Sequence, residues 1–460
     1  MMSKPRIEDS FYRSIYDKSE AVYLTEAAKT DETSPLQDRV DAILEARLAG
    51  TDGLSLTDTA TLLMLVRDEP IEAARRAVTK AARSLRHRTF GHSVATMVPI
   101  EVTSFCSSTC HFCGWRADNK AMARLAITGQ AVREQAKVLA AKGFSHFEIA
   151  GGDDLKFLKD NLADLIRGLK QETSAINPSA RVSLCLVPMH QEHYEGLKDD
   201  GLDCVLTWQE TYKEDLYNHH IPAGPKAWGI NHDLKLNKKN DESIGWLHRM
   251  QSQELAIRAG LQAGLGTMIG LAPIAEADIL SVVRHGQKLI EHYADTIQPL
   301  IIGMPSWNAI PTEETDNREA DRPPFDSSGN FEFLSAIYLL AFPDKHAWVF
   351  ANGRVAPEIQ TDCVETASFF TSTLVQIAPG AYLGLDGTSV PRAMFDRVRG
   401  LPEGALSRED ILSGEQFVHY LDSHENFVAG FEKRGMNVIP DRDMLIREHL
   451  TPRAEIAAAE

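Results

Sequence analysis

The stretch Glu101-Val-Thr-Ser-Phe-Cys-Ser-Ser-Thr-Cys-His-Phe-Cys-Gly-Trp115 places Cys106, Cys110 and Cys113 within eight residues, spaced C-x3-C-x2-C. It follows directly on the apolar run Met97–Val102. A short apolar run that stops at a polar segment reads as a buried strand ending in a loop. The same rhythm recurs downstream. Further strand candidates are His146–Ala150, Arg181–Val187, Asp203–Trp208, Gly264–Ile269, Ile297–Ile302, Ala347–Ala351 and Thr373–Ile377. Amphipathic segments lie between them, among them Val132–Lys142, Leu158–Lys170, Ile244–Ala263, Ile279–His292 and Phe331–Leu340. Strand and helix alternate about eight times, the signature of a parallel βα barrel. The expected fold is therefore α/β, a parallel (βα)8 TIM-type barrel with a helical N-terminal lead-in and a helical C-terminal tail.

Outward from the barrel, residues 1–92 read as a helical N-terminal region, 93–390 as the barrel and 391–460 as a helical C-terminal extension. Pro35–Leu48 has apolar residues at helical spacing and ends at Gly50, and Ser55 reads as the N-cap of a second helix. A third, Glu72–Leu85, carries Arg75, Arg76 and Arg83, continued by Arg86 and Arg88, a face expected to be solvated.

The 460 residues carry a formal net charge of −17, which argues against nucleic acid as a partner, because that affinity depends on Lys and Arg neutralising phosphates. No apolar run reaches the ~20 residues of a membrane span. The N-terminal Met-Met-Ser-Lys-Pro-Arg has no apolar core, so no signal peptide is expected. Six cysteines in so long a chain do not form a disulfide framework pattern, and a reducing cytoplasm is the expected setting.

Cysteine thiolates are soft ligands suited to iron–sulfur clusters. A 4Fe-4S cube takes four ligands and this triplet supplies three, leaving one iron open. A structural zinc site is the alternative. It prefers four closed ligands, usually as two separated pairs, and here only His111, between two of the cysteines, lies near. A loop after the first barrel strand also falls at the C-terminal face, where barrel sites are built.

The triplet, with aromatic Phe112 before its third cysteine, resembles the radical S-adenosylmethionine (SAM) superfamily. The resemblance implies a 4Fe-4S cluster on Cys106, Cys110 and Cys113, with SAM chelated to the open iron and Phe112 packed on its adenine. Ala150-Gly-Gly-Asp-Asp154 resembles the superfamily's Gly-Gly-Glu element, so Gly151, Gly152 and Asp153 are implied to bind the SAM amino group, through a shorter acid. Glu210 is the candidate for the ribose hydroxyls. The run Gly264-Leu-Gly-Thr-Met-Ile-Gly270, through Gly270, either pairs with adenine or relieves crowding.

Gln209-Glu-Thr-Tyr, then His220-Ile-Pro-Ala-Gly-Pro-Lys226 and Gly-Leu-Gly-x-x-Ile-Gly-Leu271, look like the aromatic amino acid lyase branch, related to biotin synthase. That branch includes 2-iminoacetate synthase and 3-methyl-2-indolic acid synthase. The implied activity is reductive cleavage of SAM to a 5′-deoxyadenosyl radical. Hydrogen abstraction from a small amino acid-like substrate follows, then cleavage or rearrangement of a carbon–carbon bond. Methylation or other bond formation in the same branch, and a non-catalytic iron–sulfur or zinc protein, are the alternatives. Arg354 falls where the lyases carry an arginine for the substrate carboxylate, a role suited to a guanidinium fork. Around it Asn352-Gly353 and Val355 depart from the lyase pattern. His190 and Trp307 are further substrate-side candidates at the barrel mouth. Biotin synthase's second cluster is not expected, since Cys185 is the one cysteine at a matching place; Cys185, Cys204 and Cys363 read as buried thiols. The implied electron donor is a flavodoxin or ferredoxin.

Overall fold

The computed structural model describes residues 4–29, 35–66, 72–237, 242–269, 271–311, 330–418 and 422–439. Its strands, in chain order, are β1 (Ser93–Thr103), β2 (Arg124–Ile127), β3 (His146–Gly151), β4 (Arg181–Cys185), β5 (Cys204–Leu206), β6 (Gln262–Gly266), β7 (Leu300–Gly303), β8 (Ala347–Ala351), β9 (Phe370–Ser372), β10 (Phe395–Arg399) and β11 (Asn437–Val438). β1 and β3 to β9 pair in parallel in that order, and β9 returns to β1 through Ala95–Phe370 and Met97–Ser372. The expected eight-stranded parallel barrel is what forms.

Helices cover the outside because each offers one apolar stripe to the sheet. Leu155–Ile176 buries Leu158, Leu162, Leu165, Ile166 and Leu169, and its N-cap Asp154 accepts from the Phe157 amide at 3.3 Å. The last barrel strand differs from its expected place: it is Phe370–Ser372, not Thr373–Ile377. Leu374 takes φ of 54°, a left-handed conformation no strand continues through, so the chain turns there.

Over its described residues the tail is less helical than its sequence suggests. It contains the short helices Arg408–Leu412 and His424–Lys433, but it also adds strands to the sheet. β10 pairs antiparallel with β2, and β11 lies parallel to the start of β1.

The N-terminal helices share the barrel's core. Ile15–Ala27 packs on Ala275–His292, and Glu72–Phe90 on Phe331–Ala341. Ser55 caps its helix as expected, accepting from the Asp58 amide at 3.0 Å. The arginine face is not simply solvated. Arg86 is buried and donates to the carbonyls of Val364, Ser368, Gly91 and Ser93. Arg75 lies over the Phe333 ring and donates to the Leu65 carbonyl. Guanidinium groups satisfy carbonyls at strand and helix ends here, which a helical pattern alone cannot reveal.

Candidate functional site

The cysteine loop leaves β1 at Thr103 and returns as β2. The buried Arg124 side chain staples it by donating to the carbonyls of Ser104, Arg116 and Asn119 at 2.8–2.9 Å. Two neighbours fix its outer side. The Thr109 and His111 amides donate to the carbonyls of Ala223 and His220, at 3.0 and 2.9 Å. Gly224, at φ of 97°, runs so close that a Cβ would stand 2.2 Å from the Ser107 carbonyl oxygen. The loop after β3 approaches as tightly, since a Cβ on Gly152 would stand 2.3 Å from the Phe105 carbonyl oxygen. Glycine is required at both places for backbone to meet backbone.

Cys110 is buried, and Cys106 and Cys113 are half-buried. Burial pushes the Cys106 thiol up to about 12, with Asp153 and Cys113 adding to it, and burial raises Cys110 as well. Cys106 Sγ accepts from the amides of Asp153 and Ser108, and Cys113 Sγ from the Gln416 side-chain amide at 3.0 Å.

Asp153 is buried beside this loop. Its Oδ2 accepts from Ser108 Oγ at 2.7 Å, while Oδ1 is buried without a hydrogen-bond partner among the described residues. Nearby, Asp153 and Cys110 outweigh the opposing effect of burial and hold the half-buried Lys226 ammonium above the usual lysine range. Three soft thiols and an unsatisfied carboxylate oxygen fit an iron–sulfur cluster and the amino group of a bound SAM. Lys226 was not singled out from the sequence, although it ends the quoted Gly-Pro-Lys segment.

Inside the mouth lies a cavity of about 160 Å³. Phe112, Cys113, Gly151, Glu210, Lys226, Arg249 and Arg354 line it, so β1, β3, β5 and β8 each deliver an expected residue to one place. Glu210 takes φ of 65°, and its carboxylate pairs with Arg249 at 2.7 Å; both are buried. Burial lowers the Arg354 guanidinium's affinity for its proton, opposed by Glu210, Cys113, Cys185 and Glu101. Arg354 donates to the Ser306 carbonyl at 3.1 Å and lies 4.0 Å over the Phe417 ring.

Other expectations resolve differently. Trp307 does not line the cavity but supports it, edge-on to Phe112 at 6.1 Å. His190 is not at the mouth. It precedes the helix Gln191–Asp199, stacks on His232 and His248, and lines a separate outer cleft. Its Nε2 bonds the Ile230 carbonyl at 3.0 Å, which turns the ring away from the barrel axis. Gly264 and Gly266 relieve crowding: Cβ atoms there would meet Leu206 at 2.5 Å and the Gly303 carbonyl oxygen at 2.2 Å. Gly270 lies outside the described residues. The segment Gln416–Phe417 crosses the mouth from the tail, and no signal near the cysteines could have announced it.

No protein-family model matches the chain. It is 25% identical over 218 residues to 2-iminoacetate synthase of Salmonella typhimurium, covering 47% of this chain and 52% of that protein. It is 26% identical over 195 residues to the FeFe-hydrogenase maturase subunit HydE of Thermotoga maritima, covering 42% and 49%. The chain thus spans about half the length of the curated relatives it matches. In structure it resembles HydG, a maturase of the FeFe-hydrogenase, with a TM-score of 0.73 at 17% identity, over 97% of this chain and 85% of that one. The eight parallel strands close into a barrel with the cysteine triplet after the first of them, a fold shared with HydG.

Proposed function

We propose that the chain cleaves SAM reductively at a 4Fe-4S cluster held by Cys106, Cys110 and Cys113. It then takes a hydrogen atom from an amino acid or derivative in the cavity and breaks or rearranges a carbon–carbon bond. One observation carries this reading: the cysteine loop is locked against the buried, half-satisfied Asp153, and its Cys113 lines the cavity in the barrel mouth. When bound, the cluster supplies the electron that splits SAM into methionine and a 5′-deoxyadenosyl radical.

The chain's own residues bind and orient. Asp153 accepts from the SAM ammonium, with Gly151 and Gly152 admitting the ligand close to backbone. Phe112, braced by Trp307, packs on the adenine. Glu210, held by Arg249, accepts from the ribose. Arg354 takes the substrate carboxylate. Phe417 and Gln416 across the mouth exclude water. Beside Cys106 the rim carries Lys120, Arg397 and Arg399, a basic edge on an acidic chain. It suits an acidic donor such as a flavodoxin or ferredoxin. Six free cysteines suit a reducing cytoplasm, and among the described residues no helix is long and apolar enough to cross a membrane.

The test is anaerobic reconstitution followed by SAM and dithionite. The reading requires 5′-deoxyadenosine from the wild type and none from Cys110→Ala; its absence from the wild type would end the reading. A second reading, a mononuclear metal protein, is favoured by one feature. Ligand nitrogens of His111, His219 and His220 all lie within 4.8 Å of one another. Zinc near one per chain with no iron would support it.

A further inference from the structure

Two acids in the barrel have no part in the SAM site above. Glu101 of β1 and Glu148 of β3 line the cavity, with exposures of 6% and 8%. Their strands are neighbours: Glu101 stands opposite Ala150, and Glu148 opposite Pro99, so the two side chains are diagonal on one inner face. Burial, together with repulsion from Glu148, pushes the Glu101 carboxyl up to about 8. Burial raises Glu148 to about 7, partly offset by a hydrogen bond from the Cys185 thiol and by Arg354. Glu101 Oε2 is buried without a hydrogen-bond partner among the described residues.

Two buried carboxyls side by side cost stability unless a cation meets them. Of the other cations lining the cavity, the charge of Arg354 reaches both acids, but its side-chain hydrogen bond goes to a backbone carbonyl, and the remaining two are engaged elsewhere. Arg249 pairs with Glu210, and Lys226 faces Asp153 and Cys110. Arg354 enters from the rim, three residues past the end of β8, and donates to the Ser306 carbonyl. Depth separates the two ends. Glu101 lies two residues before the end of β1 and Glu148 three before the end of β3, below the cysteine loop. The cavity therefore has a rim that seeks a carboxylate and a floor that seeks a cation.

We infer that Glu101 and Glu148 form an ammonium subsite and that the substrate is a diamino acid, its carboxylate on Arg354 and its side-chain ammonium on the two glutamates. This rests on the cavity being the substrate site of the SAM-cleaving reading. An α-ammonium sits beside its own carboxylate and so stays near Arg354 at the rim, whereas a side-chain ammonium reaches the floor. Binding the second charge there ionises the pair and satisfies the lone Oε2 of Glu101.

The reconstituted full-length protein with SAM and dithionite is assayed for 5′-deoxyadenosine alone and with L-lysine, L-ornithine, L-norleucine or L-tyrosine. Each rate is taken as a ratio to the amino-acid-free rate of the same preparation. Lysine or ornithine is expected to raise it at least about tenfold while norleucine and tyrosine do not, the discrimination a charge-assisted contact gives. Glu101→Gln/Glu148→Gln is expected to raise the KM for the diamino acid by about tenfold or more. Equal stimulation by norleucine or tyrosine would assign the floor to no side-chain cation and overturn the inference, as would no stimulation by any of the four. The wild-type comparison stands even if the double variant does not fold. Absence of 5′-deoxyadenosine under every condition would instead overturn the underlying reading, so the two failures are distinct.

Discussion

In the proposed function, Asp153 is the residue on which cofactor binding turns. Ser108 satisfies one of its oxygens and nothing among the described residues satisfies the other, within a buried setting where an unmade bond is costly. Asp153→Asn keeps the size and the contact with Ser108 but removes the charge. The KM for SAM should rise by about tenfold to a hundredfold, the worth of a charged hydrogen bond, while iron and sulfide content stay at the wild-type level. Steady-state kinetics with iron analysis checks both. Glu210→Gln tests the neighbouring pair. It leaves the Arg249 guanidinium buried without its counter-charge, so the protein should lose about 3–5 kcal/mol in urea unfolding.

The strand ends explain what the sequence could and could not disclose. Cys106, Gly152, Glu210 and Arg354 stood out because each follows a strand at the face where barrels build sites, and the closed sheet does bring those ends together. Glu101 and Glu148 were overlooked although both sit in otherwise apolar runs, Val-Pro-Ile-Glu-Val and His-Phe-Glu-Ile. An acid at an inward strand position is itself a signal. His190 misled because the end of β4 gives a position, not a side-chain direction, and its ring follows the Ile230 carbonyl. The acid pair carries a pH prediction. Both carboxyls are raised above the ordinary value of 4.5, to about 8 and about 7, with Arg354, Cys185 and Tyr382 the other titratable groups acting on or feeling them. Between the ordinary and the raised values the folded state holds more protons than the unfolded one. The pair's contribution is therefore full below the ordinary value and is lost as pH rises through the raised values. Thermal unfolding without substrate should show wild type losing ground to Glu101→Gln/Glu148→Gln as pH rises from about 5 to about 9. A constant difference across that range would contradict it.

At the scale of the molecule, distant parts of the chain make one object. The lead-in helices share the barrel's core, Arg86 satisfies four carbonyls from the barrel and its approach, and the tail sends Gln416 to Cys113. Those long-range partners were not legible, because periodicity reports a helix's face and not what will cover it. Arg86→Ala should leave buried carbonyls unmet and cost about 3 kcal/mol or more, read as a lower urea midpoint at unchanged slope. The proposed chemistry requires the three cysteines to hold a cube whose fourth iron binds SAM. The direct measurement is electron paramagnetic resonance of the anaerobically reconstituted, dithionite-reduced protein, with iron and sulfide counted on the same sample. About four irons and four sulfides per chain are expected, with a reduced-cluster signal that shifts when SAM is added, a shift weakened in Asp153→Asn. A cluster signal indifferent to SAM, or zinc in place of iron, would contradict it.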